Sequence, residues 1–452
     1  MSSPATPPRT MPSAAEDSRF EPMGTPCESI DSYRPGGFHP VILGDILHGR
    51  YRIIRKLGYG SFATVWLAED VARTGISSQK KYVALKIHAA KVDVSNELSI
   101  QHRLATGASK DTGSNFVLLA SDSFTLKGPN GQHHCFVTEP MGPSVSDVLY
   151  APHEFFNPLD PPSHRFSTAR NKSILRSVLL GLKFLRNNNI VHGDLQPANL
   201  LFPIQGISRL APNILQQNKS TARIDPVKRK DGKVDRWSPK YLIVAEPILE
   251  EGSQVREVVK LADFGCAFPI NNPPATPHTP LGYRAPETIL GNRVDCTIDI
   301  WSFGCLMFEL LTDCPLFGVA SFCSTPQMYN DDHLIQLSYV IGPLPQHIRN
   351  AWPRYTSYFG PSGERLNTTP FDLDNSEQAR ALKASLPPLP PRDYSPPESL
   401  PSLEELFFKY KAKDIGNEEA RVLVSLLRDI LQIEPSKRPS AAQLLERRWF
   451  RV

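Results

Sequence analysis

The sequence predicts an α+β chain in which strands come first and helices follow. Before residue 140, short runs with aromatic and β-branched residues (51–57, 80–87, 116–119 and 134–138) are separated by turn signals such as Gly128 to Gly131, as half-buried strands are. Beyond it, Ile174, Leu175, Val178, Leu179, Leu182 and Leu185 recur at helical spacing within 170–189. A second helix, 298–311, is apolar on nearly every side and must be buried. Strands and helices gathered in separate stretches give the α+β class.

Composition narrows the function classes. A net charge of +4 over 452 residues, with no long block of like charge, gives no electrostatic footprint for nucleic acid or a membrane surface. The most apolar run contains Asp299 and Glu309 and is too short to span a bilayer. Seven cysteines, an odd number without a C-x-x-C pair, point to neither a disulfide framework nor a zinc site, so a reducing compartment, cytoplasm or nucleus, is expected. No basic-then-apolar pattern opens the chain, and no signal peptide is expected.

In chain order, residues 1–34 are rich in Pro, Ser and Thr and bury too little apolar surface to offset their ordering entropy, so a disordered tail is expected. The first strand leads into Leu57-Gly58-Tyr59-Gly60-Ser61-Phe62-Ala63-Thr64-Val65, a strand-turn-strand whose two glycines let backbone approach a phosphate; a plain hairpin would look the same. Val83-Ala84-Leu85-Lys86 places a lysine on the next strand. Glu97, on a segment expected to be helical, is the first candidate carboxylate to hold that ammonium. Thr138, Glu139, Pro140, Met141 and Gly142 then follow the last of the early strands. The long helix delivers the chain to Val191-His192-Gly193-Asp194-Leu195-Gln196-Pro197-Ala198-Asn199. A low-order stretch of about 203–257 precedes Asp263-Phe264-Gly265, and Ala285-Pro286-Glu287 comes later. Asp299, on the buried helix, must find donors, and backbone amides of the 191–199 loop are the natural ones.

These motifs, in this order, resemble the eukaryotic protein kinase family from about residue 38 to the end. The resemblance implies a bilobal protein kinase fold: a small β-rich N-lobe over 35–138 and a larger, mainly helical C-lobe over 139–452, with a hinge at 139–142. Inserts are expected at about 203–257 and about 318–402. It also implies ATP and Mg2+ as cofactors. Asp194 is then the base, Lys86 with Glu97 the phosphate anchor, and Asn199 and Asp263 the metal ligands. Leu57, Gly58, Tyr59, Gly60, Ser61, Phe62, Ala63, Thr64 and Val65 form the nucleotide lid. Ala84, Glu139 and Met141 meet the base, with Thr138 as a small gatekeeper. Glu287 pairs with Arg438, and Pro197 marks a serine/threonine rather than a tyrosine kinase.

Closer still, residues 36–41, Gly44-Asp45, 49–51 and 55–67 resemble the SR-protein kinase family, which phosphorylates serines in Arg/Ser-rich splicing factors. That resemblance implies protein substrates of this type, no direct nucleic-acid or membrane partner, and a monomer. Three departures stand out. Gly193 replaces an arginine that reads a phosphorylated activation loop, a change the SR-protein kinases share, so no activating phosphorylation is expected. Gln196 replaces a lysine aimed at the γ-phosphate. Ala63 replaces the third glycine. The alternatives are a pseudokinase scaffold weakened at Gln196 and Ala63, or an active kinase with other substrates such as Ser-Pro sites. An acidic docking groove is only partly visible, as Asp331, Asp332, Glu364, Asp372 and Asp374, which read equally as solvated loop charge, and Thr279 reads as a contact to the catalytic loop, a phosphosite or an idle loop residue.

Overall fold

A computed structural model describes residues 19–73, 81–109, 111–150, 166–248, 258–319, 325–374, 380 and 401–451. The expected tail up to residue 18, the polar link at 74–80 and parts of both inserts lie outside them. The chain divides into two units, one of residues 1–110, 117–145 and 201–265, the other of 111–116, 146–200 and 266–452.

In the first unit, strands β1 (Ile46–Leu47), β2 (Tyr51–Tyr59), β3 (Ala63–Asp70), β4 (Tyr82–His88), β5 (Asp122–Gly128) and β6 (Gly131–Thr138) make one antiparallel sheet in the order β1-β2-β3-β4-β6-β5. Tyr51, Ile53, Trp66, Leu85 and Val137 alternate onto one face and form its core. Helix α1 (Ser95–Ala108) buries Glu97, Ile100, Gln101 and Leu104, one stripe at i, i+3, i+4 and i+7. The run 116–119, expected as a strand, is instead the end of a 3-10 turn, Thr112–Phe116, followed by a single bridge from Val117 to Leu261. The strand before the Gly128–Gly131 turn is Asp122–Gly128, where only Leu126 is fully buried.

Two stretches expected to lack order are built into this unit. Phe20 is 1 % exposed and bridges to Arg229, and Arg19 pairs with Asp235 at 2.7 Å. Phe20, Ile30 and Tyr33 form a small core with Phe38, Ala89 and Leu242, which supplies the apolar burial that residues 19–34 lack alone. Glu28 accepts from the Tyr33 hydroxyl at 2.6 Å and forms a buried ion pair with Lys56. The 203–248 stretch, placed by sequence in the second lobe, groups with the first because β2 has an open edge. Gln217 donates its backbone amide to Ile54 (2.9 Å) and accepts from the Lys56 amide (3.1 Å), while the Glu246 amide donates to the Lys56 carbonyl (2.9 Å). Arg55 donates to the carbonyls of Leu215 and Ile214. Ile224–Pro226 and Tyr241–Ile243 pair antiparallel within the same stretch.

The second unit is helical. Helix α2 (Thr168–Asn187) is capped by the Ser167 hydroxyl, which accepts from the Arg170 amide, and buries all six aliphatics of the predicted stripe. Asn189, at φ +55°, turns the chain into Ile190–Val191, which pairs with Phe268–Pro269. Helix α3 (Thr297–Thr312) is buried along almost its whole length, and its acids are satisfied: Asp299 by amides of the 191–199 loop, Glu309 by the hydroxyls of Tyr150 and Tyr283. Among the described residues no helix is long and apolar enough to cross a membrane.

Candidate active site

The first unit assembles a cation between two carboxylates. Alternation along β4 puts Lys86 Nζ 3.0 Å from Glu97 Oε1, on the buried stripe of α1. The same ammonium lies 2.9 Å from Asp263 Oδ1. Asp263 reaches it from a left-handed backbone conformation, φ +64°, uncommon for a residue with a side chain, and also accepts from the Gly265 amide at 3.3 Å. Burial alone would lower the Lys86 ammonium, but Asp263 and Glu97 together hold it above the ordinary lysine range. Burial likewise pushes Glu97 up, and the His88 contact and the Lys86 charge outweigh it, leaving Glu97 below the usual carboxylate range.

The turn from Gly58 to Ala63 joins β2 to β3, with Gly58 opposite Val65 and Tyr59 opposite Thr64. A Cβ on Gly58 or Gly60 would meet no protein atom within 4 Å, and neither glycine has a positive φ. Tightness of the turn therefore does not explain them. Tyr59 and Phe62 are exposed, Ser61 is exposed, and Ala63 and Thr64 are buried. Leu57 packs against the cluster of Ile54 and Leu67, and Ala84 is buried on β4 opposite Thr138. Glu139 is tied by its carboxylate to Lys260 Nζ at 2.5 Å, and Met141 is buried at the start of the Met141–Ser144 strand.

The second unit assembles a carboxylate between two amides. Asp194 Oδ1 accepts from Gln196 Nε2 at 2.9 Å, and Oδ2 accepts from Asn199 Nδ2 at 2.8 Å. Asn199 Nδ2 also lies 2.8 Å from the Asp194 carbonyl oxygen, which closes the loop on itself. The loop hangs from α3: His192 and Gly193 donate their amides to Asp299 at 2.8 and 2.9 Å. Burial raises the Asp299 carboxyl, while the nearby His192 and these two amides pull it the other way. Gly193 has φ +76°, and a Cβ there would lie 2.9 Å from the Cys266 carbonyl oxygen. The glycine is thus required by the backbone as well as being the loss of a cation.

Thr279 resolves in favour of the loop contact: the residue is 2 % exposed, its hydroxyl donates to the Gly193 carbonyl at 2.7 Å, and Arg284 Nε donates to the Thr279 carbonyl. Glu287 and Arg438 form a buried two-pronged pair at 2.5 and 2.8 Å. The acidic groove is largely withdrawn. Asp331 is buried and held by Trp352 Nε1 (2.8 Å), the Tyr358 hydroxyl (2.5 Å) and Arg354 (2.7 Å). Asp374 is also buried, and Asp372 closes a capping box with Thr369. Sequence reasoning passed over His88, which stands two residues beyond Lys86 on β4 and so shares its face; the strand period was the available signal.

A protein kinase domain model matches residues 51–222 and 245–450, and the gap between them holds the paired 224–226 and 241–243 strands, an addition to the family core. The chain is 30 % identical over 440 residues to the serine/threonine-protein kinase SRPK of Physarum polycephalum, covering 93 % of this chain and 90 % of that one. It is 32 % identical to human SRSF protein kinase 3 over 203 residues, 43 % of this chain and 33 % of the human one. The crystal structure of the PF14_0431 kinase domain superposes with a TM-score of 0.59 at 22 % identity, covering 92 % of this chain and 99 % of that one, a likeness of fold. The chain belongs to the protein kinase family, as a serine/threonine kinase of the SR-protein kinase type.

Proposed function

We propose that the chain transfers the γ-phosphate of ATP to serines in Arg/Ser-rich proteins. The observation that carries the chemistry is Asp194, with each carboxylate oxygen held by an amide donor on a loop suspended from Asp299. A base so fixed can accept the proton of an incoming hydroxyl without first reorganising. Lys86, steadied by Glu97, is the group for the nucleotide phosphates.

Magnesium fits the donors present. Among the described residues no three acidic, imidazole or thiol side chains converge into a metal cage. Magnesium bound to nucleotide needs none, since it uses one or two protein oxygens together with phosphates and water. Asp263 exposes half of its side chain. Asn199 commits its amide nitrogen to Asp194, so its carbonyl oxygen is the atom to meet a cation. Held by either group, the ion would supply neutralisation of phosphate charge.

The preference for Arg/Ser repeats is supported by the names of the relatives, not by the acidic residues, three of which serve the scaffold. One observation favours a second reading, a scaffold that binds nucleotide without turnover: Gln196 brings a neutral donor where a cation is usual. Transfer from labelled ATP to an Arg/Ser-repeat peptide, a Ser-Pro peptide and an unrelated basic peptide, beside Asp194→Ala, separates these readings. Transfer to the repeat alone, abolished by the substitution, is expected. Transfer to another peptide would remove the substrate assignment, and nucleotide binding without transfer to any peptide would establish the scaffold.

A further inference from the structure

His88 lies against the oxygen of Glu97 that Lys86 does not use. Its Nε2 is 3.4 Å from Glu97 Oε2, and its Nδ1 is 3.2 Å from the His134 carbonyl oxygen. A carbonyl oxygen only accepts, so Nδ1 carries a hydrogen. An ionised carboxylate also only accepts, so for Nε2 to bind Glu97 Oε2 it carries one too, unless Glu97 is protonated. Lys86 Nζ, 3.0 Å from Oε1, opposes protonation of Glu97. We propose that His88 is a positioning residue for the kinase reaction: as an imidazolium it grips Glu97 Oε2 and keeps Oε1 on Lys86.

Charge balance supports this. Glu97 and His88 expose only 7 % and 4 % of their side chains, and an imidazolium there compensates a buried carboxylate. The surroundings of His88 on every side are accounted for. Ala63 faces it on β3 and carries no charge, and α1 brings Glu97. From β6, the Phe136 ring meets it edge-on at 5.4 Å, His134 lies near, and His133 Nδ1 is 3.0 Å from the His88 carbonyl oxygen. His39 in turn packs on His133, ring centroids 4.7 Å apart. Burial lowers His133, burial and the charge of His88 lower His134, and burial takes His39 to about 4, so these three are neutral at pH 7. Of the four, His88 is the one within ion-pair distance of a carboxylate.

The activity test rests on the kinase reading; the spectroscopic test does not. His88→Leu keeps an apolar volume without the cation and is expected to lower kcat/KM for ATP about tenfold while leaving KM for the peptide unchanged, the loss of one charge-assisted contact. An unchanged kcat/KM for ATP, or equal losses toward ATP and peptide, would overturn the role. In parallel, the ring nitrogens of His88 are followed by NMR in the full chain. Both are expected to carry a hydrogen in the wild-type chain, and the Nε2 signal is expected to move in Glu97→Gln. A bare Nε2 in the wild type, or an Nε2 signal indifferent to Glu97→Gln, would overturn the proposal even in a chain that transferred no phosphate, an outcome that would separately end the kinase reading.

Discussion

Lys86 and Asp194 are held in place by opposite means. Lys86 lies between two carboxylates, Glu97 and Asp263, so its position depends on charge. Asp194 takes its hydrogen bonds from the neutral amides of Gln196 and Asn199, so its position depends on geometry. The difference fits the role proposed for each group. An anchor for phosphates must remain a cation, and neighbouring carboxylates favour that state. A base must keep its affinity for a proton, which a cation beside it would weaken and a neutral donor weakens less. Gln196, which in the sequence looks only like a lost lysine, also holds Asp194 Oδ1, and on the proposed function it positions the base.

The comparison can be broken in three places. The largest effect is expected at the scaffold, where the second unit does use charge: Glu287 and Arg438 are buried together, and Arg438→Ala leaves a carboxylate uncompensated. Urea unfolding should show a loss of about 3–5 kcal/mol. A loss below 1 kcal/mol would mean that the pair is dispensable.

Next comes the anchor. Glu97→Gln should lower kcat/KM for ATP by about ten- to a hundredfold, the value of one charge-assisted hydrogen bond. The same substitution has a signature in stability against pH. Glu97 sits below the ordinary carboxylate range in the folded chain, so its contribution is complete above about pH 4.3, the unfolded value, and is lost as pH falls through the folded one. The wild type should thus lose more stability than Glu97→Gln on acidification below that point, measured as unfolding midpoints. Parallel curves would show that the carboxylate is not stabilised by its neighbours. The smallest effect is expected at Gln196. Removing a neutral donor with Gln196→Ala should lower kcat about three- to tenfold and leave KM for ATP unchanged. A raised KM for ATP instead would place Gln196 with the anchor and dissolve the distinction.

What the sequence reveals of this protein depends on the distance over which each feature is encoded. Asp194 and Asn199 lie five residues apart on one loop, and Lys86 within one strand, so spacing alone displays them. Glu97 is legible because α1 repeats its buried positions at helical intervals. The order of residues 19–34 is not, because it depends on Phe20 meeting Arg229 and Glu28 meeting Lys56, contacts with no periodicity. The same holds for Gln217, whose role is to satisfy an edge of β2 some 160 residues earlier. Asp331 misleads for a related reason: an aspartate in a polar stretch reads as solvated until Trp352 and Tyr358, 21 and 27 residues on, supply its donors. The strand at Asp122–Gly128 was obscured by the more apolar run at 116–119, which ends a 3-10 turn instead.

The most direct test of the account is single-turnover phosphate transfer at saturating ATP and magnesium, comparing the wild-type chain with Asp194→Asn. The substitution keeps the size of the group and removes the proton acceptor; its Nδ2 takes the place of Oδ1 once Gln196 turns its own amide oxygen toward it, while its Oδ1 still accepts from Asn199. The account predicts that nucleotide binding and the unfolding temperature are retained while transfer falls by about 10²–10⁴-fold, the contribution of general base catalysis. Equal transfer by both chains would contradict it, since Asp194 would then be held in place without acting as the base.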